Sequence, residues 1–196
     1  MRVLVVVANP DPNSYSHAIS ERVERGLRSA GHDVVVRDLC AEQFRAAMSA
    51  EERVAYHSDT PVLDPMVQDH IDDLQSAQGI VFVYPTWWSS LPAVLKGWLE
   101  RVMVPGVGFV LDDQHRVRPG LTGLRRIAGV STYGSPLPYV KAVNDNGRRT
   151  ITRALRMSAG WRARTTWLGL YALDTRTDAE RAAFLDRVES TMAGWR

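Results

Sequence analysis

Unbroken apolar runs recur along this chain, each followed by a stretch whose apolar positions repeat every three to four residues. Residues 3–7 are all β-branched or aliphatic with no polar alternation, as expected of a parallel strand buried on both faces. The segment 16–30 then places Ile19, Val23, Leu27 and Ala30 on one helical face, and Gly31 closes it. The same logic predicts strands over 34–36, 79–84, 124–131 and 161–168. Helices are expected over 66–76, over 93–103 behind the favourable Pro92, over 141–157 and over 178–195. The last of these carries Phe184, Val188, Met192 and Trp195 on one stripe. Two stretches fall outside the rhythm: 41–65, irregular with a short helical piece, and 105–123, a Gly- and Pro-containing excursion. Five strands alternating with helices predict an α/β three-layer sandwich around a parallel sheet, with 1–196 as a single domain.

Composition narrows the function classes. A net charge of +2 over 196 residues is too small to argue for nucleic acid or an anionic membrane. The densest basic pairs, Arg125–Arg126 and Arg148–Arg149, read as solvated helix-end charges. A single cysteine, Cys40, leaves no disulfide framework and no cysteine-based metal cluster. Asp112, Asp113 and His115 lack a specific ligand spacing, so no metal is expected. No apolar run approaches the roughly 18–20 residues of a membrane span, and the start lacks a signal-peptide core. A cytoplasmic location without membrane insertion is the expectation.

In such a sheet, ligands bind beyond the carboxyl ends of the strands. Three loops there are chemically unusual. After the first strand comes Ala8 to His17, whose Asn9, Asn13, Ser14 and Ser16 lie where a helix start leaves amides unpartnered, a setting suited to a phosphate. The alternative is that Ser14 or Ser16 simply caps the helix. Neither a Walker A loop nor a G-x-G-x-x-G fingerprint is present. After the third strand, Tyr84-Pro85-Thr86-Trp87-Trp88-Ser89-Ser90 offers two adjacent tryptophans that cannot both bury easily in a loop. They suit a planar heterocycle, or alternatively one core and one interface position. After the fourth, Ser131-Thr132-Tyr133-Gly134-Ser135 combines hydroxyls with a glycine that lets backbone approach a ligand, or is a plain loop. One bound molecule would account for all three.

The run Tyr84-Pro85-Thr86-Trp87-Trp88-Ser89-Ser90-Leu91-Pro92-Ala93-Val94-Leu95-Lys96-Gly97-Trp98-Leu99-Glu100-Arg101-Val102 resembles the hallmark of the flavodoxin-like NAD(P)H quinone reductases, which include modulators of drug activity. Asn13 to Ser16, 105–109 and 131–134 are similar to that family's phosphate loop, Gly-Phe excursion and Thr-Thr-Gly-Gly loop. The resemblance implies a flavodoxin-like fold with strand order 2-1-3-4-5 and a bound flavin, FAD or FMN. It also implies ping-pong hydride transfer from NAD(P)H to a quinone or similar aromatic acceptor, in a homodimer with sites at the interface. It places Asn9, Asn13, Ser14, Tyr15 and Ser16 at the flavin phosphates. Pro85, Thr86, Trp87 and Trp88 would lie along the isoalloxazine, and Ser131, Thr132, Tyr133, Gly134 and Tyr139 at its pyrimidine edge. Trp88, Tyr133 and Tyr139 are the catalytic candidates, with the partner subunit's Phe109 opposite Trp88. The chain departs from the pattern where Asn9 and Asp145 replace histidines and Tyr133 replaces a glycine, which narrows the expected pocket. Two rival roles share the resemblance: a flavin-binding regulatory subunit of a membrane transport protein, and a single-electron carrier. The near-neutral charge disfavours the carrier.

Overall fold

The computed structural model describes all 196 residues. In chain order its strands are β1 (Arg2–Val7), β2 (Asp33–Asp38), β3 (Gly79–Pro85), β4 (Phe109–Leu111), β5 (Val117–Pro119), β6 (Arg126–Thr132) and β7 (Arg164–Leu170). Five form one sheet in the order β2-β1-β3-β6-β7, with every recorded pairing parallel. Counting only that sheet's strands, this is the flavodoxin-like order 2-1-3-4-5. The short β4 and β5 pair antiparallel, so the excursion of 105–123 folds into a hairpin.

The unbroken apolar strands are explained by burial on two sides. Val3, Val5 and Val7 of β1 face one cluster with Ile19, Val23 and Leu27 of α1 (Tyr15–Ser29). Leu4 and Val6 face the other, with Ile80, Phe82 and Trp98. Each such side chain contributes roughly 1.5–3 kcal/mol when fully buried. The irregular stretch holds α2 (Ala50–Ala55), whose Ser49 and Glu52 form a reciprocal capping box. It is followed by α3 (Pro65–Ser76) and α4 (Ala93–Val102). The indole N–H of Trp98 donates to His70 Nδ1 at 3.0 Å, which satisfies a buried donor.

Two expected elements differ. The helix expected over 141–157 is broken into α5 (Leu137–Ala142), α6 (Asn146–Arg149), a π-helical turn (Thr150–Ala154) and α7 (Leu155–Ser158). The break falls where Asn144 and Asp145 adopt φ of 80° and 42°. Asn and Asp tolerate that region best, and their side chains compete for backbone partners. The fifth sheet strand begins three residues later than expected, at Arg164, paired with Arg126. Trp161 instead sits in a turn at φ 63°, its ring beneath the Arg156 guanidinium at 5.4 Å. The chain ends in α8 (Asp178–Ala193), capped by Thr177 and Glu180 and packed along α1.

Candidate functional site

Register puts the carboxyl ends of three neighbouring strands side by side: Val7 lies opposite Val83, and Pro85 opposite Thr132. The loops after β1, β3 and β6 therefore leave one edge together. They are tied there: the Thr86 amide donates to the Thr132 carbonyl at 2.7 Å, and Thr86 Oγ1 shares a 2.8 Å hydrogen bond with Ser131 Oγ. Ala8 N–H donates to Val83 O at 3.0 Å.

In the first loop, Ser14 is the cap of α1 and accepts from the His17 amide. The amides of Tyr15 and Ser16 have no acceptor in the chain, so the helix start presents free donors with the positive end of its dipole. Asn9 steadies this start by donating to Ser16 Oγ at 3.2 Å, while the Asn13 amide turns back to Asp11 at 2.9 Å. The Tyr15 hydroxyl donates to the Arg181 carbonyl at 2.6 Å. Burial pushes it up to about 12, so it is a neutral tether to α8 and only the Tyr15 backbone faces the loop's mouth.

The second loop contains a tight turn. Trp87 and Ser90 exchange two backbone hydrogen bonds, of 3.2 and 3.0 Å, around Trp88 and Ser89 at φ 48° and 58°. Positive φ at both central residues is the type I′ pattern. It throws the Trp88 side chain fully into the open, 101% exposed, with Trp87 at 46%.

Between this turn and the loop after β6 lies a cleft of about 310 Å³. Thr86 and Trp88 stand on one side and Gly134 and Tyr139 on the other, with Tyr133 and Asp145 also lining it. Tyr139 is half exposed; its carbonyl accepts from the Val143 amide at 3.0 Å, while its hydroxyl makes no hydrogen bond within the chain. The cleft thus gathers Thr86, Trp88, Tyr133, Gly134 and Tyr139 of the expected residues. Asn9, Asn13, Ser14, Tyr15 and Ser16 sit at the neighbouring loop instead. Pro85, Trp87, Ser131 and Thr132 border the cleft without lining it, and the Ser131 and Thr132 side chains are buried.

A family model described as flavodoxin-like fold matches residues 1–191. The chain belongs to this flavodoxin-like family. Among relatives of this flavodoxin-like protein, an uncharacterised NAD(P)H oxidoreductase of Haemophilus influenzae is 31% identical over 142 residues, covering 72% of this chain and 68% of the relative. NAD(P)H dehydrogenase [quinone] 1 of Rattus norvegicus is 28% identical over 70% of this chain, which spans only 56% of that longer protein. The same fold is found in the NAD(P)H:quinone oxidoreductase of Methanothermobacter marburgensis, with a TM-score of 0.81 at 24% identity, covering 98% and 96% of the two chains.

Three residues of this flavodoxin-like site carried no expectation as ligands. Ser89 and Ser135 add hydroxyls to the cleft, and Asp145 forms its floor. Asp145 is only 9% exposed, and its carboxylate accepts from the Tyr133 hydroxyl at 3.1 and 3.2 Å and from the Arg148 amide. Tyr133 itself is 2% exposed and stacks on Tyr171 at 4.5 Å. Burial, and then the Asp145 charge, hold the Tyr133 hydroxyl far above its ordinary range, so it stays a neutral donor. Beneath them the Tyr84 hydroxyl is buried with no partner, and burial raises it too. In the first loop, His17 links Ser14 Oγ at 2.9 Å to Asp38 at 2.8 Å. The sequence signal for Asp145 was the Asn144-Asp145-Asn146-Gly147 turn; for His17 there was none. The Asp112 carboxylate is taken up by Arg116 and Arg118, each at 2.9 Å. No helix is long and apolar enough to cross a membrane.

Proposed function

We propose that this chain is a flavin-dependent NAD(P)H oxidoreductase of the cytoplasm that passes hydride to a quinone or similar aromatic acceptor. The observation that carries this is the cleft itself. A wholly exposed tryptophan faces a glycine and a free tyrosine hydroxyl across about 310 Å³, beside a helix start with partnerless amides. That volume lies at the lower end of small-molecule sites. The donor set fits FAD or FMN: Ser14, Tyr15, Ser16 and their amides for a phosphate, with Asn9 and Asn13 beside them. Pro85, Thr86, Trp87 and Trp88 suit the ring's flat side, and the ends of Ser131 to Gly134 its polar edge.

The flavin supplies the ability to take up and give back a hydride; the protein supplies orientation and electrostatics. The α1 start neutralises the tail, and the Thr86–Ser131 and Thr86–Thr132 bonds fix the two walls relative to one another. Trp88 covers the cleft and sheds water from it. Tyr139, with an uncommitted hydroxyl, donates a hydrogen bond where negative charge collects, aided by backbone amides around Gly134. Tyr133 does not shuttle a proton; its hydroxyl anchors Asp145 and its ring forms a rigid floor. NAD(P)H and the acceptor occupy the same cleft in turn. A second copy of this chain covers the exposed Trp87, Trp88 and Tyr139, completing the site as a homodimer. The test is the visible spectrum of purified protein, followed by anaerobic titration with NADPH and NADH. Yellow colour bleached by pyridine nucleotide supports the proposal. A colourless protein that refuses added FMN and FAD overturns it.

A further inference from the structure

One wall of the cleft does nothing in that scheme. It continues from Asp145 along α6, the π-helical turn and α7. Between residues 141 and 156 the chain carries Lys141, Arg148, Arg149, Arg153 and Arg156 against Asp145 alone. None of these cations takes part in an ion pair, although Arg2, Arg22, Arg37 and Arg101 each contact two carboxylates. Asp145 forms an ion pair with none of them; its carboxylate accepts instead from the Tyr133 hydroxyl and the Arg148 amide.

These cations line a channel. A second cleft of about 300 Å³ is bounded by Lys141, Arg148, Arg149, Thr152 and Arg153, and it shares Val140 and Asp145 with the ring cleft. A third, of about 520 Å³, takes over at Arg148, Thr152 and Arg153 and ends at Arg156, which lies over Trp161. Arg149 and Arg153 line the second cleft together, and Arg153 and Arg156 the third, so the row runs on from one to the next. The π turn, closed by the Leu155 amide onto the Thr150 carbonyl, is of a kind that recurs at functional sites.

A ligand that enters the ring cleft and continues along this row must carry negative charge displaced from a flat ring. We propose that the row Arg148, Arg149, Arg153 and Arg156 binds the phosphates of a reduced pyridine dinucleotide whose nicotinamide lies in the ring cleft, so that the protein selects phosphate-bearing reductants, NADPH foremost, over phosphate-free ones. This rests on the oxidoreductase reading for the place of the ring. Guanidinium forks match phosphate oxygens in pairs, and the absence of competing carboxylates leaves them available.

The experiment uses the full chain and the variant R149Q/R153Q, whose two changes are at exposed positions. NADP⁺ binding is measured by calorimetry. Turnover of NADPH, NADH and reduced nicotinamide riboside is compared with one quinone, at two salt concentrations. The expected result is about a tenfold or greater rise in KM for NADPH and a matching loss of NADP⁺ affinity. For the riboside, kcat/KM should move by less than about twofold. In the unmodified protein, added salt raises KM for NADPH and leaves the riboside's unchanged. Unaltered NADP⁺ affinity in the variant, or equal losses for NADPH and the riboside, overturns the proposal. If the variant instead loses its flavin, the row holds the cofactor's tail; the proposal falls while the oxidoreductase reading stands. If the unmodified protein binds no flavin and oxidises none of the three reductants, both fall.

Discussion

The molecule treats its arginines in two opposite ways. Arg101, 3% exposed between α2, α3 and α4, is saturated: it pairs with Glu52, with Asp64 at 2.9 Å and with the Arg45 carbonyl at 2.7 Å, and lies over the Phe44 ring at 5.3 Å. The row from Arg148 to Arg156 makes no ion pair at all: Arg148 stacks on Trp167, and Arg156 stacks on Trp161 and donates to the Ala163 carbonyl at 2.9 Å. A guanidinium taken out of water needs all its partners from the chain itself. One left at the wall of a cleft and unpaired is available to a partner from outside. The contrast separates charges that hold the fold from charges that face a ligand.

The largest effect should come from the saturated side. Arg101→Met leaves the largely buried Glu52 without its cation and Asp64 with Arg45 alone, and should cost about 3–5 kcal/mol in urea denaturation. A loss below about 1 kcal/mol would mean the network holds nothing. Tyr133→Phe should follow, at about 1–3 kcal/mol, because Asp145 keeps its burial and loses its hydroxyl donor. Thermal unfolding of the two proteins measures it. A third effect is visible only against pH. Arg45 and then Arg101 hold the Asp64 carboxyl down at about 2, below its ordinary 3.8. Its stabilisation is therefore complete above the ordinary value and disappears as pH falls through about 2. Asp64→Asn should be less stable near neutrality and lose less stability than the unmodified protein between pH 4 and pH 2; parallel curves would remove Asp64 from the account. The smallest change in stability belongs to Trp88→Ala, within about 0.5 kcal/mol since the indole is open to solvent. Flavin retention should nevertheless drop sharply. Equal loss of melting temperature and flavin would place Trp88 among the structural residues.

What the sequence made legible follows from where its signals are local. Continuous Val and Ile runs mark buried parallel strands, and the proline before α4 marks its start, so the strands and the three loops could be placed; the order of strands in the sheet came from the family resemblance. Ser14 proved to be a cap, as one of two readings had it, yet capping leaves the Tyr15 and Ser16 amides free, so the readings are compatible. The break in the helix over 141–157 was written in Asn144-Asp145-Asn146-Gly147, but the apolar spacing around it masked those turn formers. The start of β7 was misplaced because Trp161 looks like a strand residue; its positive φ and its place under Arg156 are properties of a tertiary contact. The arginine row is the clearest case. Arg148 and Arg149 read as ordinary helix-end charges, because a sequence does not show which arginines will find carboxylates across space.

The turn from Trp87 to Ser90 has one further consequence. A bend of this kind ordinarily employs asparagine and glycine, whereas tryptophan and serine here pay about 1–2 kcal/mol apiece for left-handed backbone. The main chain, more than the side-chain rotamer, therefore sets where the indole stands. Phenylalanine or tyrosine at position 88 would keep a flat group on the same spot, while Ser89→Gly would relieve the left-handed strain at that position.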